Sequence, residues 1–261
     1  MGRAAAVLVD ARLVAARLAT ARPPAGRLAA GAALVSVLAA YFSLHERFWS
    51  AGLGLDVAFV AFVLLPLLFA LPWLALPART ARWLPAAAAL LVAGAILADV
   101  ADAPVPAAFL KLGAVTAVGY LFAALFESVL WAATIAVVVP WIDAWSVWRG
   151  PTRHLVTKRQ DLFTSFSIPF PIPGEHAAGA LGLPDFLFFA VFLASASRFG
   201  LRARLTWLTM TLSFGATMAL AAYTDIFGGA GLPALPLLAV GFLLPNLDLL
   251  LKRLARGRHA R

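Results

Sequence analysis

Six ionisable residues fall inside or at the edges of long apolar runs: Lys111, Glu127, Asp143, Asp185, Asp225 and Asp248. A charged group in a membrane helix is costly, so each is a candidate for function. Four have structural explanations. Lys111 is near a helix end and can snorkel. Glu127 falls at an expected turn, and Asp225 precedes the turn glycines Gly228 and Gly229. Asp248 stands four residues before Lys252, the spacing of a helical ion pair. Asp143 and Asp185 stand apart. Two carboxylates facing one another in a low-dielectric site cannot both ionise. Such a pair can act as general base on a water and general acid on a leaving amine. Spacing alone leaves two other readings open, helix-end residues or a proton relay.

These residues need a membrane around them. The chain has 261 residues, 63% hydrophobic and 13% charged, with a mean hydropathy of +0.91. A soluble domain carries about 25% charge, so a soluble globule and a disordered chain are both excluded. The expected fold is all-α: a polytopic transmembrane bundle of about eight spans, within a range of seven to nine. The blocks lie near 28–44, 57–77, 84–98, 107–126, 128–147, 181–197, 205–224 and 232–251. The run 112–147 is too long for one span at 1.5 Å per residue, and Glu127 is where it breaks.

Three parts follow. Residues 1–27 form a basic amphipathic segment, too interrupted by Asp10 to be a signal-peptide core. Residues 28–251 form a single transmembrane domain, with a long loop at 148–180. Residues 252–261 are a basic tail suited to anchoring on anionic lipid. The net charge of +9 therefore reports topology and lipid contact, not nucleic acid. With eight spans and a cytoplasmic N-terminus, fifteen Lys+Arg fall inside and six outside. That split predicts both termini in the cytoplasm, in the plasma membrane, and the 148–180 loop outside.

Asp143 lies sixteen residues past Glu127, about 24 Å along a helix. Asp185 opens the next span from the same side, and Pro233-Ala234-Leu235-Pro236 opens the last. All three features therefore reach one depth. Prolines 169, 171 and 173 force extended backbone. Cysteine is absent, and no His spacing matches a zinc protease; neither metal nor cofactor is expected.

The stretch Gly182-Leu183-Pro184-Asp185 and its apolar continuation resemble the Gly-x-Gly-Asp helix of presenilin and signal peptide peptidase. Pro140-Trp-Ile-Asp143 resembles the family's Tyr-Asp helix, and Pro233-Ala234-Leu235 its Pro-Ala-Leu motif. The order is also the family's, and residues about 128–251 carry the resemblance. It implies a presenilin-like fold and a GxGD-type intramembrane aspartyl protease, as a prokaryotic-type homologue. Asp143 and Asp185 would be catalytic. Gly182, Leu183, Pro184, Pro233, Ala234 and Leu235 would bind substrate or shape the site. The substrates implied are transmembrane helices or signal peptides, with membrane lipids as partners and no protein subunit specified. Ile142 and Pro184 depart from the family's Tyr and Gly. Those departures keep a silent, helix-binding scaffold in view, and a proton-coupled transporter remains a further alternative. Unwound substrate could add as a strand to Phe166–Pro173 or Pro233–Pro236.

Overall fold

A computed structural model describes residues 25–150, 165–175, 178–224 and 232–259. The basic segment 1–27 lies outside the described residues except for its last three. So do Asp225 and much of the 148–180 loop.

Each of the eight apolar blocks forms helix. These helices are α1 (Ala25–Leu44), α2 (Leu53–Thr80), α3 (Leu84–Val100), α4 (Pro104–Ala124), α5 (Val129–Arg149), α6 (Leu183–Arg198), α7 (Ala203–Tyr223) and α8 (Leu235–Leu243). A 3-10 turn, Leu244–Asn246, then joins α8 to α9 (Leu247–His259). Residues 252–259 of the basic tail thus continue the helix. Among the described residues, six helices are long and apolar enough to cross a membrane. The chain is therefore a multi-pass membrane protein. The blocks near 84–98 and 181–197 form helices of only 17 and 16 residues.

Proline placement explains the helix starts. It occupies the first turn of α3, α4, α6 and α8, where no helical N–H partner is lost. Between α4 and α5 the chain turns at residues 125–128, with Glu127 exposed. Within α2, a π turn covers Val60–Leu64 and Pro72 interrupts the ladder. Neighbouring helices also donate to carbonyls close to Pro72. The Tyr120 hydroxyl of α4 donates to the Pro72 carbonyl, and Trp207 Nε1 of α7 to the Phe69 carbonyl at 2.9 Å.

The core forms around α6. Its residues Phe186, Phe189, Ala190, Val191, Phe192, Leu193, Ala194, Ser195 and Ala196 are all buried. A helix apolar on every side must be enclosed, and α6 is packed by α2, α4, α5, α7 and α8. Phe69 stacks on Phe189 with centroids 4.1 Å apart, and Phe192 on Phe242 at 4.7 Å. The Arg198 guanidinium closes the other end of α6 against the last carbonyls of α4, Ala123 and Ala124, at 2.9 and 2.5 Å.

Two charged residues differ from their sequence explanations. Lys111 does not snorkel: it is buried and pairs with Asp99 at 2.9 Å. Distant residues in sequence become neighbours when α3 folds back on α4. Asp248 is held by Arg202, through bonds of 2.6 and 2.9 Å, rather than by Lys252. The start of α7 brings a planar guanidinium fork to it, a better match for a carboxylate than an ammonium.

The bundle is helical as expected, with a small hairpin added. Strand β1 (Ser167–Pro171) pairs antiparallel with β2 (Ala178–Gly182), and β2 runs directly into α6. The prolines account for β1. Nothing in the sequence reading anticipated β2.

Gly119 tests how tightly α6 is held. A Cβ there would lie 2.7 Å from Ala190 Cβ and 2.9 Å from the Leu187 carbonyl oxygen. At Gly31 of α1 no atom lies within 4 Å. Gly31→Ala should therefore raise the melting temperature in detergent, by helix propensity worth about 1 kcal/mol. Gly119→Ala should lower it, through overpacking of about 1–3 kcal/mol. Equal shifts of the same sign would contradict the close α4–α6 approach.

Candidate active site

Asp143 lies in α5, three residues after Pro140. That proline lacks an N–H and so leaves the Ala136 carbonyl without its helical donor. The Asp143 carboxylate reaches the start of α8. There the Leu235 backbone N–H donates to Asp143 Oδ2 at 3.1 Å. Leu235 is the first residue of α8, so its N–H has no partner within the helix. Asp143 thus supplies from another helix the cap that α8 lacks in its own sequence, at the positive end of the α8 dipole.

Asp185 is the third residue of α6, with Gly182 as N-cap and Pro184 in the first turn. Its carboxylate accepts the Gly182 backbone N–H. This is the reach-back half of a capping box. A Cβ on Gly182 would stand 3.1 Å from Asp185 Oδ2, so glycine leaves room for the carboxylate to fold back. Asp143 lies near enough to act electrostatically on Asp185. Each acid therefore sits at a helix N-terminus, Asp185 on its own helix and Asp143 on another's.

Both carboxylates line one cavity of about 430 Å³. Gly182, Pro233 and Ala234 also form its wall. Leu235 contributes through its N–H. The remaining two sequence candidates stand back from it. The Leu183 N–H donates to the Phe166 carbonyl at 3.1 Å. Pro184 is exposed and starts α6.

Sequence reasoning missed several wall residues. Asp56, near the start of α2, is buried in the same wall. Its carboxylate accepts the Ser50 hydroxyl at 2.9 Å and the Ala51 N–H at 3.3 Å. Asp56 also opens a span from the side that Asp185 does, so the depth argument could have found it. Glu175 and the β2 residues Gly179, Ala180 and Leu181 complete this side. Among the described residues, no three His, Asp or Glu side chains are grouped to hold a metal ion.

The register of the hairpin decides which strand edge is open. Ile168 opposes Leu181, Pro169 opposes Ala180 and Phe170 opposes Gly179. Hydrogen-bonded pairs alternate along an antiparallel ladder. The Leu183–Phe166 bond sets the phase, so Ile168/Leu181 and Phe170/Gly179 are the bonded pairs. Pro169 and Pro171 then face outward, where a missing N–H does not disrupt the ladder. The outer edge of β1 has no donor at either position, and the Pro171 carbonyl is taken by the Tyr41 hydroxyl at 2.8 Å. The outer edge of β2 differs. Ala180 turns its N–H and C=O away from β1, and Gly182 turns its N–H to Asp185. The Pro233–Pro236 segment is not a second edge, because helix begins at Leu235.

The chain matches no family model, no curated protein and no solved structure.

Gly179 gives a test of the hairpin. A Cβ there would fall among the ring atoms of Phe170, the nearest at 2.1 Å, and that ring is buried. Gly179→Ala should push the ring away and loosen the ladder. Amide exchange at Leu181 is expected to accelerate roughly tenfold, in line with an overpacking cost of about 1–3 kcal/mol. Unchanged exchange would contradict the register.

Proposed function

We propose that the chain is an intramembrane aspartyl protease of the presenilin and signal peptide peptidase type, which cleaves transmembrane helices or signal peptides. The observation that carries this reading is the meeting of Asp143 and Asp185 on one cavity, with Pro233 and Ala234 in its wall. The two departures from the family pattern count little against it. Ile142 and Pro184 are both exposed, and neither lines the cavity.

In this reading one carboxyl is ionised and the other protonated. The ionised one takes a proton from water as the oxygen attacks the scissile carbonyl carbon. The protonated one gives its proton to the leaving amine as the C–N bond breaks. A helical substrate hides its carbonyls in its own hydrogen bonds, so a stretch must unwind first. The unwound stretch is held on the outer edge of β2, at the Ala180 N–H and C=O, by strand addition. That edge runs into Gly182 and Asp185, so a bound strand passes the reacting carboxyls. The hydrophobic lining supplied by Leu53, Val57, Val60 and Met218 suits apolar substrate side chains. By the distribution of basic residues, both termini face the cytoplasm of the plasma membrane and the loop between the aspartates faces outward.

The test is cleavage of a single-span helical substrate by the full chain in liposomes. Wild type should release fragments. Asp143→Ala and Asp185→Ala should each reduce the rate at least about a hundredfold, since acid–base groups commonly contribute 10²–10⁴ each. Both variants should keep the wild-type helical circular dichroism. Cleavage surviving in Asp185→Ala would sink the assignment. Intact substrate that binds wild type would favour a helix-binding scaffold instead.

A further inference from the structure

Two more cavities flank the C-terminal end of α2, and Arg27 lines both. The first is a slot of about 340 Å³ among α1, α2, α3 and α4, walled by residues such as Leu28, Val35, Leu74, Leu91 and Phe109. Among the described residues, Arg27 is the one charged residue in its wall. The second is a cleft of about 540 Å³ bordered by Arg27, Arg79, Arg202 and Arg204, with no acidic residue in its wall among the described residues. Arg202 is already bound to Asp248 and the Pro245 carbonyl. Arg79 is different: one guanidinium nitrogen donates to the Leu76 carbonyl at 3.2 Å, while its buried Nε has no partner among the described residues.

We propose that these two cavities together bind one anionic phospholipid, its phosphate among Arg27, Arg79 and Arg204 and one acyl chain in the apolar slot. The arginines gathered on the cleft wall suit an anion, since phosphate oxygens accept guanidinium N–H groups. The adjoining slot distinguishes a lipid from a free anion, because a free anion has no use for a long apolar wall. The site lies at the bundle end where the basic residues of 78–83 and 198–204 gather, the end that meets anionic headgroups under the basic-residue rule. Within a membrane, one acyl chain is as well solvated as another. Selectivity must therefore come from the headgroup charge, with the slot fixing where the lipid stands. The proposal does not depend on the protease reading.

The experiment is native mass spectrometry of the purified full chain in neutral detergent. It is titrated with phosphatidylglycerol, with phosphatidylcholine of the same chain length, and with inorganic phosphate. Wild type should retain phosphatidylglycerol roughly tenfold more than phosphatidylcholine, and inorganic phosphate at equal concentration should not displace it. The double variant Arg27→Gln, Arg79→Gln should bind the two lipids alike. A second variant leaves the charges in place: Gly31→Phe fills the slot from a position with no atom within 4 Å of its Cβ. It should lose most phosphatidylglycerol binding. Equal retention of both lipids by wild type would overturn the proposal. So would a preference that survives the double arginine variant, full phosphatidylglycerol binding in Gly31→Phe, or displacement by inorganic phosphate.

Discussion

Carboxylates inside a bundle of apolar helices are tolerated only when something compensates their charge, and two helix N-termini do so here. The first N–H groups of a helix are unpaired and carry its positive dipole end. Asp185 folds back on its own N-cap at Gly182, while Asp143 caps α8 through Leu235. Much of the architecture follows from this requirement. Helix α8 must begin beside α5, α6 must begin where β2 ends, and α6 must be enclosed so that its first turn stays at the cavity. The aromatic stack of Phe69, Phe186 and Phe189 and the glycine contact at Gly119 hold it there.

The same economy of hydrogen bonds shapes the hairpin. Backbone groups at membrane depth must find partners or line a cavity. Prolines at 169 and 171 remove two donors from the outer edge of β1, and Tyr41 covers a carbonyl. Among the described residues, what remains open is the outer edge of β2, and it borders the carboxylate cavity. Asp56, held by Ser50 and Ala51, lines the same cavity near the π turn of α2. The cavity thus joins backbone that can pair to an apolar lining and the carboxylates.

Legibility in the sequence followed the range of the interactions. Apolar blocks depend on local composition, so all eight helical regions could be placed, including the break at Glu127. Depth along a span is simple counting, and it brought Asp143, Asp185 and Pro233-Ala234 to one level. The extended course of β1 was legible because proline restricts its own backbone. Partners distant in the chain were not. Lys111 with Asp99, Asp248 with Arg202 and Leu235 with Asp143 depend on which helices pack together. Strand β2 reads as Ala-Gly-Ala-Leu-Gly, with little β-propensity. It is a strand because β1 offers it a partner, a tertiary fact without a local signal.

The central claim is that Asp143 and Asp185 act on one reacting centre. The most direct measurement is the affinity of a peptide carrying a hydroxyl isostere of the tetrahedral intermediate, compared between wild type and each single alanine variant. Transition-state mimics bind at least about a hundredfold tighter than substrates. The account expects tight binding to wild type and a loss of at least about a hundredfold in both Asp143→Ala and Asp185→Ala, because the hydroxyl must sit between the two carboxyls. Undiminished binding in either variant would show that the acids do not address one centre, and would contradict it.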